Sequence, residues 1–276
     1  MSLYKTNRNV NNKQYFVSAI MPVHDGEIYL TEAIENIRRQ NYKPLEIIIV
    51  DDGSTDSTAK IAGHFHDLVH YVYQANSGPA AARNRGLSIA KGDVISFLDV
   101  DDLWSENKLM LQLEHLERSI PSPDIVLGHT QRMQLIGQEE GNVKFKEWGE
   151  PVIAMHLGSA LFRKSVFEHV GLFNESLYYC DDWDWFMRAK EMNVPMVLHK
   201  EVTYYYRRHD QNITNDLETS LKSALKVLRQ SLNRRRQQGN GTVVRLPRLS
   251  DFISFSDSKR LHDRKQAGEE AGGSND

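Results

Sequence analysis

Four short runs of β-branched and aromatic residues, spaced by segments of helical periodicity, occupy the first hundred residues and restrict the chain to very few folds. Residues 15–21 (YFVSAIM) read as a strand that stops at Pro22, which has no N–H for a central ladder. Ile28, Leu30, Ala33, Ile34 and Ile37 then recur at helical spacing, closing near Arg39. Residues 45–50 (LEIIIV) are nearly continuous apolar, the pattern of a parallel strand covered on both faces. Turn and capping residues at 51–57 (DDGSTDS) precede a helical stretch reaching Phe65. A third strand is expected at 69–73, a third helix at 79–90 with proline in its first turn, and a fourth strand at 94–98 (VISFL). Such a series implies right-handed crossovers and half of a doubly wound sheet.

The later half reads as mixed α/β. A helix is expected at 103–116, and strands at 125–135 and 143–148 are joined by the polar turn 137–142 as a hairpin. Helices at 164–170 and 182–191 and strands at 195–198 and 202–207 follow. From residue 217 onward, Leu221, Ala224, Leu225, Leu228 and Leu232 trace a long amphipathic helix ending in Arg234, Arg235 and Arg236. The domain plan is thus a polar, flexible leader at 1–14, a folded unit at 15–214 with halves at about 15–103 and 104–214, a helix at 215–238, and a tail at 239–276 without apolar periodicity, expected to be mobile.

Composition removes several classes. The 34 Lys and Arg against 37 Asp and Glu give a net charge of −3, unsuited to a nucleic-acid binder. No apolar run approaches the roughly 18 residues of a membrane span, and the leader lacks a signal peptide's apolar core. The single cysteine, Cys180, excludes an intramolecular disulfide and a cysteine-cluster zinc site. A cytoplasmic location is expected. Lys222, Lys226, Arg229 and the terminal arginines on the long helix leave open peripheral contact with the inner face of a membrane, or pairing of two copies.

The densest chemistry is the run Asp99, Val100, Asp101, Asp102 directly after VISFL. Ligands of open α/β sheets bind beyond the carboxyl ends of strands, and extended residues at i and i+2 share a face, so Asp99 and Asp101 are expected to converge. Carboxylates without His or Cys alongside suit Mg²⁺ or Mn²⁺, which bridge to substrate phosphates. The competing reading is a polar turn capping the next helix. Asp51 and Asp52 end the second strand on the same rim, where a carboxylate can accept from an imide N–H or a ribose hydroxyl and Gly53 permits close backbone approach. Capping by Ser54 or Asp56 is the alternative there. Neither a glycine-rich dinucleotide fingerprint nor a Walker A sequence is present.

Five segments together resemble glycosyltransferase family 2: SAIMPVHDGEIYLTEAIENIRRQ, LEIIIVDDGSTDST, NSGPAAARNRGLSIAKGDVISFLDVDDLW, GSALFRKSVFEHVGLFNESLYYCDDWDWFMRA and YYYRRHDQNIT, in the family's order over roughly residues 15–214. The resemblance implies the GT-A fold, a Rossmann-like, mostly parallel sheet with helices on both faces. It implies a nucleotide site from Pro22, Val23, His24, Glu27, Asp51, Asp52, Asn76, Gly78, Arg83, Asp99 and Val100. Asp99 and Asp101 match the DxD pair, with Asp101, Asp99, Asp102 and His209 as the metal set for Mn²⁺ or Mg²⁺, and Arg207, Arg208 and Thr214 beside His209 in the last motif. The family's Glu-Asp pair falls on Asp181 and Asp182, whose first position departs from the usual residue; Asp182 is the expected base, Asp181 the fallback, and one of them is expected only to cap a helix. A helix N-terminus would keep that base anionic at neutral pH. Trp104, Trp183 and Arg207 are the expected sugar or acceptor contacts, with Trp104 and Trp183 equally readable as core.

The implied activity is transfer of a sugar from a nucleoside-diphosphate sugar, UDP being the family's commonest base, to a glycan or glycolipid hydroxyl, by a single inverting displacement in polysaccharide, glycolipid or cell-envelope synthesis. Two rivals stand beside it. A nucleotidyltransferase would need a basic glycine-rich loop, and residues 22–27 (PVHDGE) have neither Lys nor Arg. A noncatalytic nucleotide-sugar sensor or scaffold of the same fold would have no need of Asp101 and Asp182.

Overall fold

The structure, a computed structural model, describes residues 14–139, 142–212 and 215–237. The expected leader up to Lys13, the tail from 239 and Thr214 lie outside the described residues. The first half runs β1 (Val17–Val23), α1 (Leu30–Arg38), β2 (Leu45–Asp52), α2 (Thr58–Gly63), β3 (Val69–Gln74), α3 (Pro79–Ile89) and β4 (Val94–Phe97). The second half runs β5 (Leu103–Trp104), α4 (Lys108–Arg118), β6 (Ile125–Glu139), β7 (Asn142–Glu147), a 3-10 turn at Leu157–Ser159, β8 (Ala160–Arg163), α5 (Ser165–Val170), α6 (Asp181–Glu191), β9 (Met196–Arg208) and α7 (Leu217–Gln237).

The nine strands of the described residues join one sheet in the order β3-β2-β1-β4-β8-β6-β9-β5, with β7 paired to β6. β3, β2, β1 and β4 are parallel, and the direction changes where β8 lies antiparallel to β4. The chain leaves β1 toward β2 and later returns to its other side as β4, which makes the gap between the ends of β1 and β4 a switch point where a ligand can sit.

Strand alternation sorts the core into two layers. Val17, Ala19 and Met21 face α1, α2 and α4 through Leu30, Ile34, Ala62, Leu109 and Leu113. Ile20, Ile48 and Val50 face α3, α5 and α6 through Ala80, Leu87, Phe167, Trp185 and Phe186. Helix α3 approaches closely because residue 86 is glycine: a Cβ there would stand 2.4 Å from Cγ2 of Ile20.

Several expected boundaries shift for identifiable reasons. β1 continues through Pro22, because the β4 ladder ends at the Ile20–Phe97 pair and leaves no partner there that needs the missing N–H. The helix expected at 103–116 begins only at Lys108, since Leu103 and Trp104 pair with Tyr205 and Tyr204. The two strands expected at 195–198 and 202–207 form one strand, β9, alongside β6, with the register shifting between Leu127 and Thr130. β8 is too short to have been anticipated. The long helix docks differently from its leucine stripe: Val227 and Leu228 pack on Leu177 and Met187, while Leu221, Leu225 and Leu232 stay exposed. Arg234 completes the docking by ion pairs to Asp184 (3.1 Å) and Glu191 (2.7 Å) of α6. Among the described residues, no helix is long and apolar enough to cross a membrane.

Gly86→Ala tests the packing of α3 on β1. Helix propensity favours alanine by about 1 kcal/mol. Overpacking against Ile20 costs about 1–3 kcal/mol. A net loss of stability is expected in urea unfolding, and a gain would contradict the close approach.

Candidate active site

The rim of the switch point is held together by buried carboxylates. Asp51, fully buried, accepts from the Ser54 N–H (2.7 Å) and the Tyr71 hydroxyl (2.6 Å). Burial and that bond to Asp51 push the Tyr71 hydroxyl pKa up. Asp52, 5% exposed, accepts from Gln74 Nε2 and from the N–H groups of Ser77 and Gly78, each at 2.8 Å. It therefore shapes the loop that leads into α3. Gly53 (φ +80°) is required there, because a Cβ would meet the Asn76 nitrogen at 2.7 Å.

At the end of β1, Pro22 and Val23 are buried and His24 is exposed, its Nδ1 2.9 Å from the Asp52 carbonyl oxygen and its ring 3.4 Å from Asn76 Nδ2. Glu27 lies at the outer edge and accepts from the Ser57 N–H (3.0 Å). Val100 packs on Gly26 beside Val23. The exposed polar side chains here include His24 and Asn76, while Asp51 and Asp52 are both buried.

The acidic run is a turn rather than an extension of β4: the strand ends at Phe97, and the Asp102 N–H donates to the Asp99 carbonyl (3.0 Å). Strand alternation therefore does not set where Asp99 and Asp101 point, and each carboxylate has its own surroundings. Asp99 Oδ1 takes Arg83 Nη2 at 2.9 Å, and the other arm of Arg83, Nη1, reaches Asp181 Oδ2 at 2.7 Å. Burial alone would lower the Arg83 pKa, but the charges of Asp181 and Asp99 carry it upward, so the guanidinium stays charged. Asp101 Oδ2 faces His209 Nε2 (3.0 Å) and Asn212 Nδ2 (3.2 Å). Among the described residues, the second oxygens of Asp99 and Asp101 receive no hydrogen bond, and their side chains are 38% and 25% exposed. Carboxylate oxygens left open in this way are ligands of the type that hard divalent cations take.

Asp102 does not belong with that metal set. It is 1% exposed, and its two oxygens accept from the Tyr204 hydroxyl and the Arg207 N–H (2.6 Å). Burial, with the charges of Asp101 and Asp99, pushes its pKa well up. Two further expectations are corrected. Trp104, 1% exposed, lies in the core with its Nε1 donating to the Phe97 carbonyl (3.0 Å), so it offers no face to a sugar. Arg207, 2% exposed, donates to the Asp101 carbonyl and to Glu32 Oε2 (2.5 Å) and lies over the Tyr29 and Phe145 rings. It braces the acidic turn instead of reaching outward.

Asp181 and Asp182 open α6 after Cys180, whose left-handed conformation (φ 61°) turns the chain into the helix. Asp181 is buried on Arg83, whereas Asp182 is partly exposed and, among the described residues, accepts only from its neighbour's N–H, that of Trp183 (2.8 Å). Burial and the adjacent charge of Asp181 outweigh Arg83 and push Asp182 up to about 7. That upward push opposes the helix N-terminus, which favours the anion. Trp183 packs partly on the Leu177–Met187–Val227 cluster. Sequence reasoning passed over Tyr204, Glu32, Asn212 and His156. The His156 ring lies 5.2 Å from that of Tyr206, and burial lowers its pKa to about 4. Tyr204 and Asn212 lie inside the last quoted motif and Glu32 inside the first, so each sat in a marked segment without being singled out, whereas His156 lies outside all five.

Comparison with known proteins agrees with this architecture. The family model described as "Glycosyl transferase family 2" matches residues 18–171, more than half of the chain. An uncharacterized glycosyltransferase of Rickettsia typhi is 33% identical over 74% of this chain and 68% of its own length. GlyG, a glycosyltransferase of Streptococcus pneumoniae, is 34% identical over 49% of this chain and 44% of its own length. Coverage of curated relatives ranges from about two thirds of their length down to less than a quarter. Among solved structures, S. aureus TarS with UDP superposes with a TM-score of 0.56 at 20% identity, over 85% of this chain and 76% of that one. A mannosyltransferase of Pyrobaculum calidifontis, solved with GDP-Man and Mn²⁺, gives 0.63 at 18% identity over 80% and 65%. These likenesses establish a shared GT-A fold.

Tyr204→Phe isolates the buried joint. Losing the hydroxyl leaves an Asp102 oxygen without its donor, which costs about 1–3 kcal/mol. Urea unfolding should show that loss, and an unchanged midpoint would mean that the bond carries no stability.

Proposed function

The chain belongs to glycosyl transferase family 2, and on that premise we propose that it transfers a sugar from a nucleoside-diphosphate sugar, UDP foremost, to an acceptor hydroxyl in a single inverting displacement. One observation carries this reading: Arg83 pairs with both Asp99 and Asp181, so the acidic turn after β4 and the acidic start of α6 lie next to one another. UDP and GDP-Man in the two solved relatives bear on the donor class.

In this reading, the nucleotide lies at the switch point against His24 and Asn76, on a loop shaped by the buried Asp51 and Asp52. Asp99 and Asp101 would hold Mn²⁺ or Mg²⁺, with His209 and Asn212 orienting Asp101, and the cation would neutralise charge on the leaving diphosphate when bound. Asp182 is the base, since Asp181 is buried on Arg83 and Asp182 is the partly exposed member of the pair. Its carboxylate accepts the proton of the acceptor hydroxyl while that oxygen attacks the anomeric carbon and the bond to the diphosphate breaks. The raised pKa makes it a stronger base than an ordinary aspartate. Attack from the face opposite the leaving group turns an α-linked donor into a β-linked product. A glycan or glycolipid acceptor and a role in envelope or polysaccharide assembly complete the proposal.

Two experiments test it. Thermal melting across UDP, GDP, CDP and dTDP, each with Mn²⁺ or with chelator, should show a rise for one nucleotide that needs the cation and disappears in Asp101→Ala. No rise with any nucleotide would count against the donor site. With the donor so identified, Asp182→Asn should lower kcat by about 10²–10⁴-fold and leave nucleotide binding intact. Because the base acts as an anion, kcat/KM of the unaltered enzyme should climb as pH rises through about 7. An α-linked product by NMR would overturn the single displacement.

A further inference from the structure

On the other side of the molecule, α4 and β9 bring together three groups that the proposed reaction does not use. His115 of α4 stacks on His199 of β9 with ring centroids 4.6 Å apart and planes 4° from parallel. Glu201, two residues along β9, places Oε2 2.9 Å from His199 Nδ1. One ligand atom from each of the three lies within 4.8 Å of the others. Arg207 stands farther along the same strand, roughly 26 Å away at about 3.3 Å per residue, so the cluster is remote from the acidic turn.

The site has the features of a formed cradle. The His199 side chain is 3% exposed; its Nδ1, on the side of Glu201, is the nitrogen that can share an ion with that carboxylate, while its Nε2, on the other edge of the ring, is buried without a hydrogen-bond partner among the described residues. Space for the ring exists only because residue 128 of β6 is glycine: a Cβ there would come within 2.7 Å of His199 Cε1. Glu201 is 58% exposed and gives the cluster a route to solvent. His115, half-buried on α4, has no side-chain hydrogen bond among the described residues, and placing both imidazoles on one ion requires its ring to turn out of the stack.

We propose that His115, His199 and Glu201 form a second cation site, which takes a borderline transition-metal ion of the Zn²⁺ class and ties α4 to β9. Two imidazoles and one carboxylate suit zinc, with a fourth position left for water, and disfavour Mg²⁺ or Mn²⁺, which prefer all-oxygen surroundings. The two sites therefore differ in chemistry as well as in place.

The test uses the full chain, stripped with chelator and then given Zn²⁺ alone. One equivalent of zinc should remain after desalting, by elemental analysis, and the melting temperature should rise. Co²⁺ in its place should give visible absorption of a low-coordinate nitrogen and oxygen site. His115→Ala, a partly exposed position checked for folding by circular dichroism, and Glu201→Gln should each weaken zinc binding at least tenfold, while Asp101→Ala leaves it unchanged. Absence of bound zinc, retention at full strength in both variants, or loss in Asp101→Ala would each overturn the proposal.

Discussion

A carboxyl group buried to 1% exposure has to be met by donors on every side, and the way Asp102 meets that demand determines where most of the cleft lies. Its donors are the Tyr204 hydroxyl and the Arg207 N–H, both from β9. β9 is thereby clamped in register against the turn that follows β4. From that clamp, Arg207 extends to Glu32 of α1 and to the Asp101 carbonyl, and the chain continues into His209 and Asn212, which face Asp101. One desolvated acid thus joins the nucleotide-side half to the last strand of the fold.

The same economy appears on the rim. Asp51, Asp52 and Asp102 are all deeply buried and fully engaged with protein donors, whereas Asp99, Asp101 and Asp182 keep part of their surface open. Neighbouring aspartates in the chain therefore divide into those that build the walls and those that face the cleft. Burial separates them more sharply than charge does, because an isolated carboxylate cannot leave water unless hydrogen bonds replace its hydration.

Much of this organisation was legible in the residues. Parallel strands covered on both faces must be apolar throughout, so VSAIM, EIIIV and VISF announced β1, β2 and β4, and the acidic turns marked the rim. What stayed hidden depended on partners distant in the chain. Trp104 follows an acidic turn and looked like a sugar platform, but the pairing of Leu103 and Trp104 with β9 swings it inward. Arg207 sits in a motif of cleft residues, yet Glu32 and the Asp101 carbonyl claim its guanidinium. Helix α7 showed a leucine stripe at helical spacing, while its docking relies on Val227, Leu228 and the Arg234 ion pairs. Local periodicity reveals that a face is apolar; the packing of the whole chain decides which face is used.

The position of Arg83 between Asp99 and Asp181 carries a consequence of its own. A single guanidinium with two arms is a shared resource: any anion that draws it toward the donor side must loosen its hold on α6. In the proposed reaction the electrostatic environment of Asp182 therefore depends on what binds beside Asp99, and by thermodynamic reciprocity a ligand beside Asp182 would alter that affinity by the same factor. On that proposal, donor and acceptor positions share one guanidinium, so a substitution that improves one ligand's fit would be felt by the other.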